Sequence, residues 1–466
     1  MVTFKEKGYN MNFTKDQEKA LEIMRSGSNC FITGEAGTGK SFVVQAYIDE
    51  LRSSGKEVLI TAPTGTAADN LGGMTIHRAF GAPIGVIPPK EITTRDEVLE
   101  CVDVIIIDEI SMCRFDLFDF VARKILFEND ERNRNRYMAE MSGGESKDDI
   151  QIIVMGDFFQ LPPVITPNDK DALNMFYQNY GKGFAFNSKY WQKMGFDGIC
   201  LKENIRQEDA AFKKILVKIR NGEDKIPCAA WLKSHASDFP FDDTESIYLS
   251  STNKDVNTIN THQLAKLDEK EHVFYASVKG DITATEKFAE DELHLKIGCK
   301  VMMTINDSEG QFVNGTIGTV EGIYDLFDVT DIRVYIPSKE LYISVSPITK
   351  EIIRPKVTEK EKTVTEIDEN GNTVKKKKTV KVLEDEVVGS FTQYPLKLAY
   401  AITIHKSQGK TFEKMNMNPY CWDEGQFYTG ISRCKRIENI CFTQEIKSKY
   451  IKASAEVIRA MKGVMS

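Results

Sequence analysis

The 466-residue sequence predicts an α/β fold built from tandem parallel sheets, with a small projecting segment and a β-rich insertion in its second half. Three observations predict it. Short, β-branched apolar runs alternate with helical stretches through residues 1–190, as expected of parallel strands buried on both faces. One of these runs leads directly into a glycine-rich loop, Gly34-Glu35-Ala36-Gly37-Thr38-Gly39-Lys40-Ser41, with a helical pattern after it. The same rhythm returns after Tyr190, where a stretch of alternating polar strands breaks it.

Taken in order, residues 29–33 read as the first buried strand and 41–53 as the helix that follows. Residues 57–61, 104–108 and 151–155 read as further strands of the same sheet. Residues 81–100 start rich in proline and show no clear period, which suggests a small projecting subdomain. Residues 128–149 are polar and read as a solvated loop or frayed helix end. Beyond Tyr190 the candidate strands are 246–250, 300–304, 396–402 and 439–443, with a long helix near 253–270. Residues 357–383 read as a hairpin around Asp368-Glu369-Asn370-Gly371, because Asn-Gly suits a tight two-residue turn. The expected division is a first domain over 1–190, with its projection at about 81–100. A second domain takes 191–325 and 395–466, and the insertion takes 326–394.

Composition narrows the classes. At 41% hydrophobic and 28% charged, the chain has ample apolar material for real cores. No apolar run approaches the roughly 20 residues that span a bilayer, and no membrane partner is expected. Nine scattered cysteines form no C-x-x-C pair, and six histidines add no zinc pattern, which points to a reduced setting. The net charge of −8 argues weakly against a nucleic-acid partner, although one basic track on an acidic protein would suffice.

The glycine-rich loop matches G-x-x-x-x-G-K-[ST]. Glycines let backbone N–H groups curl toward phosphate, and the helix N-terminus adds partial positive charge. The candidate ATP-binding residues are therefore Gly37, Thr38, Gly39, Lys40 and Ser41, with Lys40 reaching the β- and γ-phosphates and Ser41 on Mg²⁺. Gln17 carries the paired donor and acceptor that an adenine edge requires. Val104-Ile105-Ile106-Ile107-Asp108-Glu109 is the apolar strand ending in two acids that a phosphate loop calls for. Asp108 would hold Mg²⁺ and Glu109 would polarise the attacking water; by itself such a pair more often caps a helix.

Further strings resemble one helicase group. Gly156-Asp157-Phe158-Phe159-Gln160-Leu161-Pro162-Pro163-Val164 is similar to the third motif of superfamily one helicases, in the form of the petite integration frequency (Pif) family. Leu398 to Gly409, containing Ile404-His405-Lys406-Ser407-Gln408-Gly409, resembles that family's fifth motif, and Gly425 to Arg433 its sixth. Ala62-Pro63-Thr64-Gly65-Thr66-Ala67-Ala68 and Thr75-Ile76-His77-Arg78 resemble the strings between them and the phosphate loop. The motifs keep family order from about Phe13 to Arg433.

The resemblance implies tandem RecA-like domains, a small SH3-like β-barrel as insertion, ATP with Mg²⁺ in the interdomain cleft, and movement 5′ to 3′ on single-stranded DNA. It implies that Gln160 senses the γ-phosphate and that Arg206 and Arg433 reach across the cleft as arginine fingers. It places Thr64, Gly65, Thr66, His77, Asn253, His405 and Lys406 on the DNA track. The projecting segment 81–100 leaves the domain just after Thr75–Arg78, with an apolar core stiffened by prolines, and is expected to form the wedge that separates the duplex. Phe158 and Phe159 are expected to pack in the core. Duplex or structured DNA is the expected further partner, with a monomer in solution. A bacterial or phage-type minimal core, cytoplasmic in the nucleoid, is the expected setting. A RecD-like or phage Dda-like helicase is the neighbouring alternative, and a nucleotide-dependent clamp the alternative of another class. The fingers and Glu109 argue against a clamp, which needs no hydrolytic apparatus.

Overall fold

The computed structural model describes residues 13–142, 146–178, 180–207, 209–242, 246–307, 311–326, 329–367 and 373–465. The first sheet has six parallel strands: β1 (Cys30–Gly34), β2 (Val58–Ala62), β3 (Met74–Thr75), β4 (Val104–Ile107), β5 (Gln151–Met155) and β6 (Asp197–Leu201). Their order is β3-β2-β4-β5-β1-β6. The central strands are fully buried because helices cover both faces, which leaves no room for polar alternation. Helices α1 (Lys15–Arg25) and α2 (Lys40–Ser53) pack on one face, around Ile32, Ile48, Ile106 and Ile153. Thr14 caps α1 through a capping box with Gln17, so the residue predicted to read adenine also fixes its own helix start.

The expected boundary at 190 is corrected here. Strand β6 pairs in parallel with β1 from Asp197 to Leu201, so the first sheet runs beyond it. The sequence hid this strand because its first two residues are exposed at the sheet edge and carry no apolar signal.

Residues 128–142 are also not a loop. They continue the 28-residue helix Phe115–Ser142. Glu128 and Arg132 look like solvated charges in the sequence, but both are buried and paired, at 3.3 Å. Arg132 Nη2 also donates to the carbonyls of Leu99 and Val102.

Residues 81–96 follow the short helix Ile76–Phe80 without regular structure, down to the helix Glu97–Cys101. The segment lies against the long helix. Ile87 is buried, its N–H donates to Asp116 Oδ2 at 2.8 Å, and Tyr177 Oη donates to its carbonyl at 2.7 Å. Ile84, at 75% exposed, is left at the tip.

The second half contains a smaller parallel sheet and a large antiparallel region. Strands β7 (Ile247–Ser250), β8 (His272–Tyr275), β9 (Ser277–Gly280), β10 (Glu292–Leu295) and β11 (Lys300–Met303) come first. Then follow β12 (Ile317–Leu326), β13 (Val329–Ile336), β14 (Leu341–Val345), β15 (Ile348–Ile367) and β16 (Thr373–Gln393). The last four are β17 (Leu396–Leu398), β18 (Ala401–Thr403), β19 (Met415–Met417) and β20 (Ile440–Phe442). The parallel sheet has the order β18-β7-β19-β20. A five-stranded antiparallel sheet, β14-β13-β12-β11-β17, encloses its own core of Val301, Met303, Val320, Ile332, Val334 and Leu396.

Two further expectations are corrected. The antiparallel region begins at β8 and not at 326, so 300–304 belongs to it and not to the second parallel sheet. The single run 396–402 is two strands in two sheets, β17 and β18. Strands β15 and β16 form the predicted hairpin of alternating polar residues; Asp368-Glu369-Asn370-Gly371 lies outside the described residues. Within the basic run 375–378, Lys377 pairs across the hairpin with Glu361 at 2.9 Å and both side chains stand in solvent.

Candidate functional site

The glycine-rich loop emerges from β1 and ends at Gly39, which stands in the left-handed region at φ 77° as the cap of α2. Gly39 offers no side-chain cap, so the first amides of this 14-residue helix are left for a ligand. Gln17 lies against the loop. Its Nε2 donates to the Thr38 carbonyl at 3.2 Å, and a Cβ on Gly39 would meet that nitrogen at 2.5 Å. Lys40 folds back, donating to the carbonyls of Gly34 and Glu35 at 2.9 and 3.0 Å. Burial holds its ammonium below the usual lysine range, against the pull of Asp157, Glu109 and Asp108.

Asp108 and Glu109 end β4 as predicted. Asp108 accepts from the Glu109 N–H at 2.6 Å, and Glu109 adopts φ 49°, a strained angle for a residue with a Cβ. Burial holds both carboxyls well above the usual carboxylate range. Gln408, from the second half, donates to Glu109 Oε2 at 2.9 Å.

Arg433 is 1% exposed and held by the Thr429 carbonyl at 2.9 Å and the Ser432 hydroxyl at 2.8 Å. Burial, and then the neighbouring Arg206, push its guanidinium down to about 9, while Glu109 acts in the opposite sense.

Arg206 departs from the expected geometry. It does not reach over from the second half, because it follows β6 of the first sheet. The Ile205 N–H donates to the Gly37 carbonyl at 3.0 Å, and a Cβ on Gly37 would meet Arg206 Cβ at 2.3 Å. From there its Nη1 lies 3.5 Å from the Ser432 carbonyl. Only Arg433 comes from the opposite side.

Several site residues had no role assigned from sequence. Asp157 forms a fully buried ion pair with Arg220 at 2.8 Å, and the guanidinium stacks 3.9 Å above the Phe159 ring. Tyr428 Oη donates to Asp157 Oδ2 at 3.3 Å and accepts from the Ala36 N–H at 3.3 Å. Gln207 donates to the Ser432 carbonyl at 3.1 Å. Gln160 is buried beside these groups, and a Cβ on Gly425 would strike its carbonyl oxygen at 2.0 Å. Asp157, Gln408 and Tyr428 sit inside specific strings, which was the available signal. Arg220 lies in the plain amphipathic helix Ala210–Asn221 and gave none.

A second cleft, of about 570 Å³, runs beside this site. Thr64, Thr66, His405 and Lys406 line it, together with Glu109 and Gln408. Gly65 lies beneath the segment at Thr285, whose carbonyl would meet an added Cβ at 2.4 Å. His77 and Asn253 are not among its lining residues. His77 sits in the helix Ile76–Phe80, and Asn253 is exposed at the start of the helix Asn253–Ala265. Phe158 and Phe159 pack in the core as expected.

The sequence pattern of the family described as PIF1-like helicase matches residues 12–227. The ATP-dependent DNA helicase Pif1 of Bdellovibrio bacteriovorus is 30% identical over 93% of this chain and 88% of its own length. That of Psychrobacter sp. (strain PRwf-1) is 33% identical, over 91% and 67%. The chain belongs to the Pif1-like helicase family. Among solved structures, Bacteroides sp Pif1 with ADP-AlF4 superposes at a TM-score of 0.73, with 29% identity over 97% of this chain and 98% of that one. Bacteroides Pif1 bound to single-stranded DNA gives 0.65 at 30% identity, over 97% of both chains. These likenesses carry the tandem RecA-like fold to the two parallel sheets, with Asp157, Gln160 and Arg433 where the halves meet.

Proposed function

We propose that this helicase hydrolyses ATP between its two parallel sheets and uses the second cleft to move 5′ to 3′ along single-stranded DNA. One observation carries the reading. The ATP site buries two sets of charge together, Arg206 with Arg433 and Asp108 with Glu109, and burial pushes each group toward its neutral form. Such perturbed groups clustered in one cleft mark chemistry better than they mark stability. A triphosphate with its divalent cation offers each set an opposite charge.

Each residue then has a task. The loop amides and Lys40 hold the β- and γ-phosphates, and Gln17 meets the adenine edge. Asp108 and Ser41 offer a hard carboxylate and hydroxyl oxygen, which suits Mg²⁺ held jointly with phosphate. A cation held by these residues would supply charge neutralisation to the phosphates. Glu109 orients and deprotonates the attacking water, Gln160 meets the γ-phosphate, and the two guanidiniums neutralise the equatorial oxygens.

Coupling to DNA runs through Gln408. It holds Glu109 at 2.9 Å and lines the second cleft beside His405 and Lys406. A strand that shifts residues 405–408 would therefore change the water-activating carboxylate directly. Thr64, Gly65 and Thr66 supply hydroxyl and amide donors to phosphates, which position a strand without reading its sequence. In this reading the chain acts as a monomer on tailed duplex or structured DNA, in the nucleoid. Among the described residues no helix is long and apolar enough to cross a membrane.

The deciding experiment measures ATP hydrolysis with and without single-stranded DNA, and strand displacement on 5′- and 3′-tailed duplexes. Strong stimulation with displacement of the 5′-tailed substrate is expected. Hydrolysis indifferent to DNA, or a 3′-tail preference, would overturn the proposal.

A further inference from the structure

The wall of the second cleft contributed by the antiparallel region carries polar groups to which the proposed track gives no task. Register shows how they come together. Val301 and Met303 point into the antiparallel core, whereas Met302 belongs to the separate core on the opposite face, the one that includes Ile402 and Met415. Side chains alternate along a strand, so Thr304 shares the face of Met302, and its N–H continues the ladder to the Pro395 carbonyl at 3.0 Å. Lys397 of β17 stands directly opposite Met302 and so shares that face too. Thr304 and Lys397 line the cleft together with Lys410.

Thr304 and Lys397 lack the partners a buried polar group ordinarily has, and Lys410 is held by a neutral amide oxygen. Thr304 is 8% exposed, and its hydroxyl has no hydrogen-bond partner. Among the described residues no carboxylate forms an ion pair with Lys397. Burial pushes its ammonium down to about 7, with Lys410 and Lys406 adding repulsion and Glu290 opposing it. Lys410 donates to Asn314 Oδ1, and its stem lies along Gly315, where a Cβ would come to 3.2 Å. Burial takes Lys410 down to about 8. The other titratable groups on the cleft are Lys287 and Asp291 near Glu290, His405 beside Lys406, and Glu109.

We propose that Lys397, Lys410 and Thr304 form a seat for one backbone phosphate of single-stranded nucleic acid. The inference rests on the reading that this cleft carries the strand. A phosphate offers acceptor oxygens to the Thr304 hydroxyl and the Lys397 ammonium, and a negative charge between the two lysines. Lys397 sits on the antiparallel sheet and Lys410 on the segment after β18, so one phosphate would tie the two parts together.

The seat also couples binding to protons. An anion favours the charged lysine, so the bound form holds its proton to higher pH than the free form does. Below about pH 7 Lys397 is already charged and binding takes up nothing. Above that, binding takes up a proton, and affinity falls as pH rises.

The test uses the full chain without nucleotide and a fluorescent oligothymidylate, titrated across salt and pH. Proton uptake is read by calorimetry in buffers of different ionisation enthalpy at about pH 8. Lys397→Met and Lys410→Met should each weaken binding several-fold and reduce the slope of log K against log salt by about 0.7. Both should lower proton uptake. Lys397→Arg should keep the slope and lose the share of the pH dependence that Lys397 contributes, because arginine stays charged. Thr304→Val removes an unpartnered hydroxyl, so the fold should hold while binding weakens at unchanged slope. Wild-type slope and proton uptake in both methionine variants would overturn the seat, as would wild-type affinity in Thr304→Val. Failure of the unaltered chain to bind the oligonucleotide would instead overturn the reading of the cleft itself.

Discussion

The two halves of the chain meet in two places that are built differently. At the nucleotide end the joint is made of buried groups. Asp157 and Arg220 pair at 2.8 Å with neither more than 3% exposed, and Tyr428 joins them to the phosphate loop. Where the antiparallel region touches the first half, the joint is made of ion pairs, most of them nearer solvent: Lys350–Asp69 at 2.6 Å, Lys381–Glu100 at 2.8 Å and Arg78–Asp281 at 2.9 Å, with Arg78–Glu286, at 2.9 Å, the one largely buried pair beside them. Removing one partner of a buried pair strands a charge and costs about 3–5 kcal/mol. An exposed pair contributes at most about 1 kcal/mol and is screened by salt. The molecule is therefore held in register where phosphate chemistry needs fixed distances, and held lightly where a strand must enter.

The largest effect at the rigid joint is expected at Lys40. Among the described residues its ammonium donates only to loop carbonyls, so Lys40→Ala should abolish hydrolysis while thermal melting stays near wild type. Phosphate release at the wild-type rate would show that the rigid joint is not the ATP site.

The arginines come next. Arg433→Ala and Arg206→Ala should each slow turnover by about 10³–10⁵, the usual worth of an arginine finger. Nucleotide-free DNA binding should change much less. A loss under about tenfold would make either residue part of the joint only. Glu109→Gln should bind ATP and DNA but hydrolyse very slowly, measured by single-turnover phosphate release; lost ATP binding would make Glu109 structural.

Gln408→Ala sharpens the comparison, because Gln408 touches both regions. Most of the stimulation of hydrolysis by single-stranded DNA should disappear while DNA affinity changes little. Undiminished stimulation would place the coupling elsewhere.

The projecting segment bears on where duplex is opened. A stiff apolar tip can stack on a terminal base pair, and unstacking costs only a few kcal/mol. Ile84 is the exposed apolar residue there, whereas Ile87 is buried and supports the fold. Ile84→Ser should lower unwinding per ATP consumed and leave DNA-stimulated hydrolysis intact. Unchanged unwinding per ATP would exclude the tip as the wedge.

The smallest effect is expected at the light joint. Lys350→Met should shift stability by under about 1 kcal/mol, and the difference should vanish at high salt. A salt-independent loss would mean the two joints are not different in kind.

Sequence by itself determined the local parts of this protein. The strands β1, β4 and β5, the phosphate loop and the acids after β4 were legible because apolar runs and glycine spacing report on neighbours in the chain. Gln17 was singled out by its amide donor and acceptor, and Arg433 by its string. Tertiary structure decided what depends on distant partners. The run 396–402 looks like one strand, but the chain crosses there from the antiparallel sheet to the parallel one, and no local signal marks a change of partner. Arg206 has the same spacing in its string whichever side of the cleft it stands on; the pairing of β6 with β1 put it beside the phosphate loop. Arg220 and Lys397 read as ordinary surface charges until folding buried one against Asp157 and turned the other into the cleft. Charge and periodicity are written along the chain, whereas burial and the partner across a cleft exist only once separate segments have closed on each other.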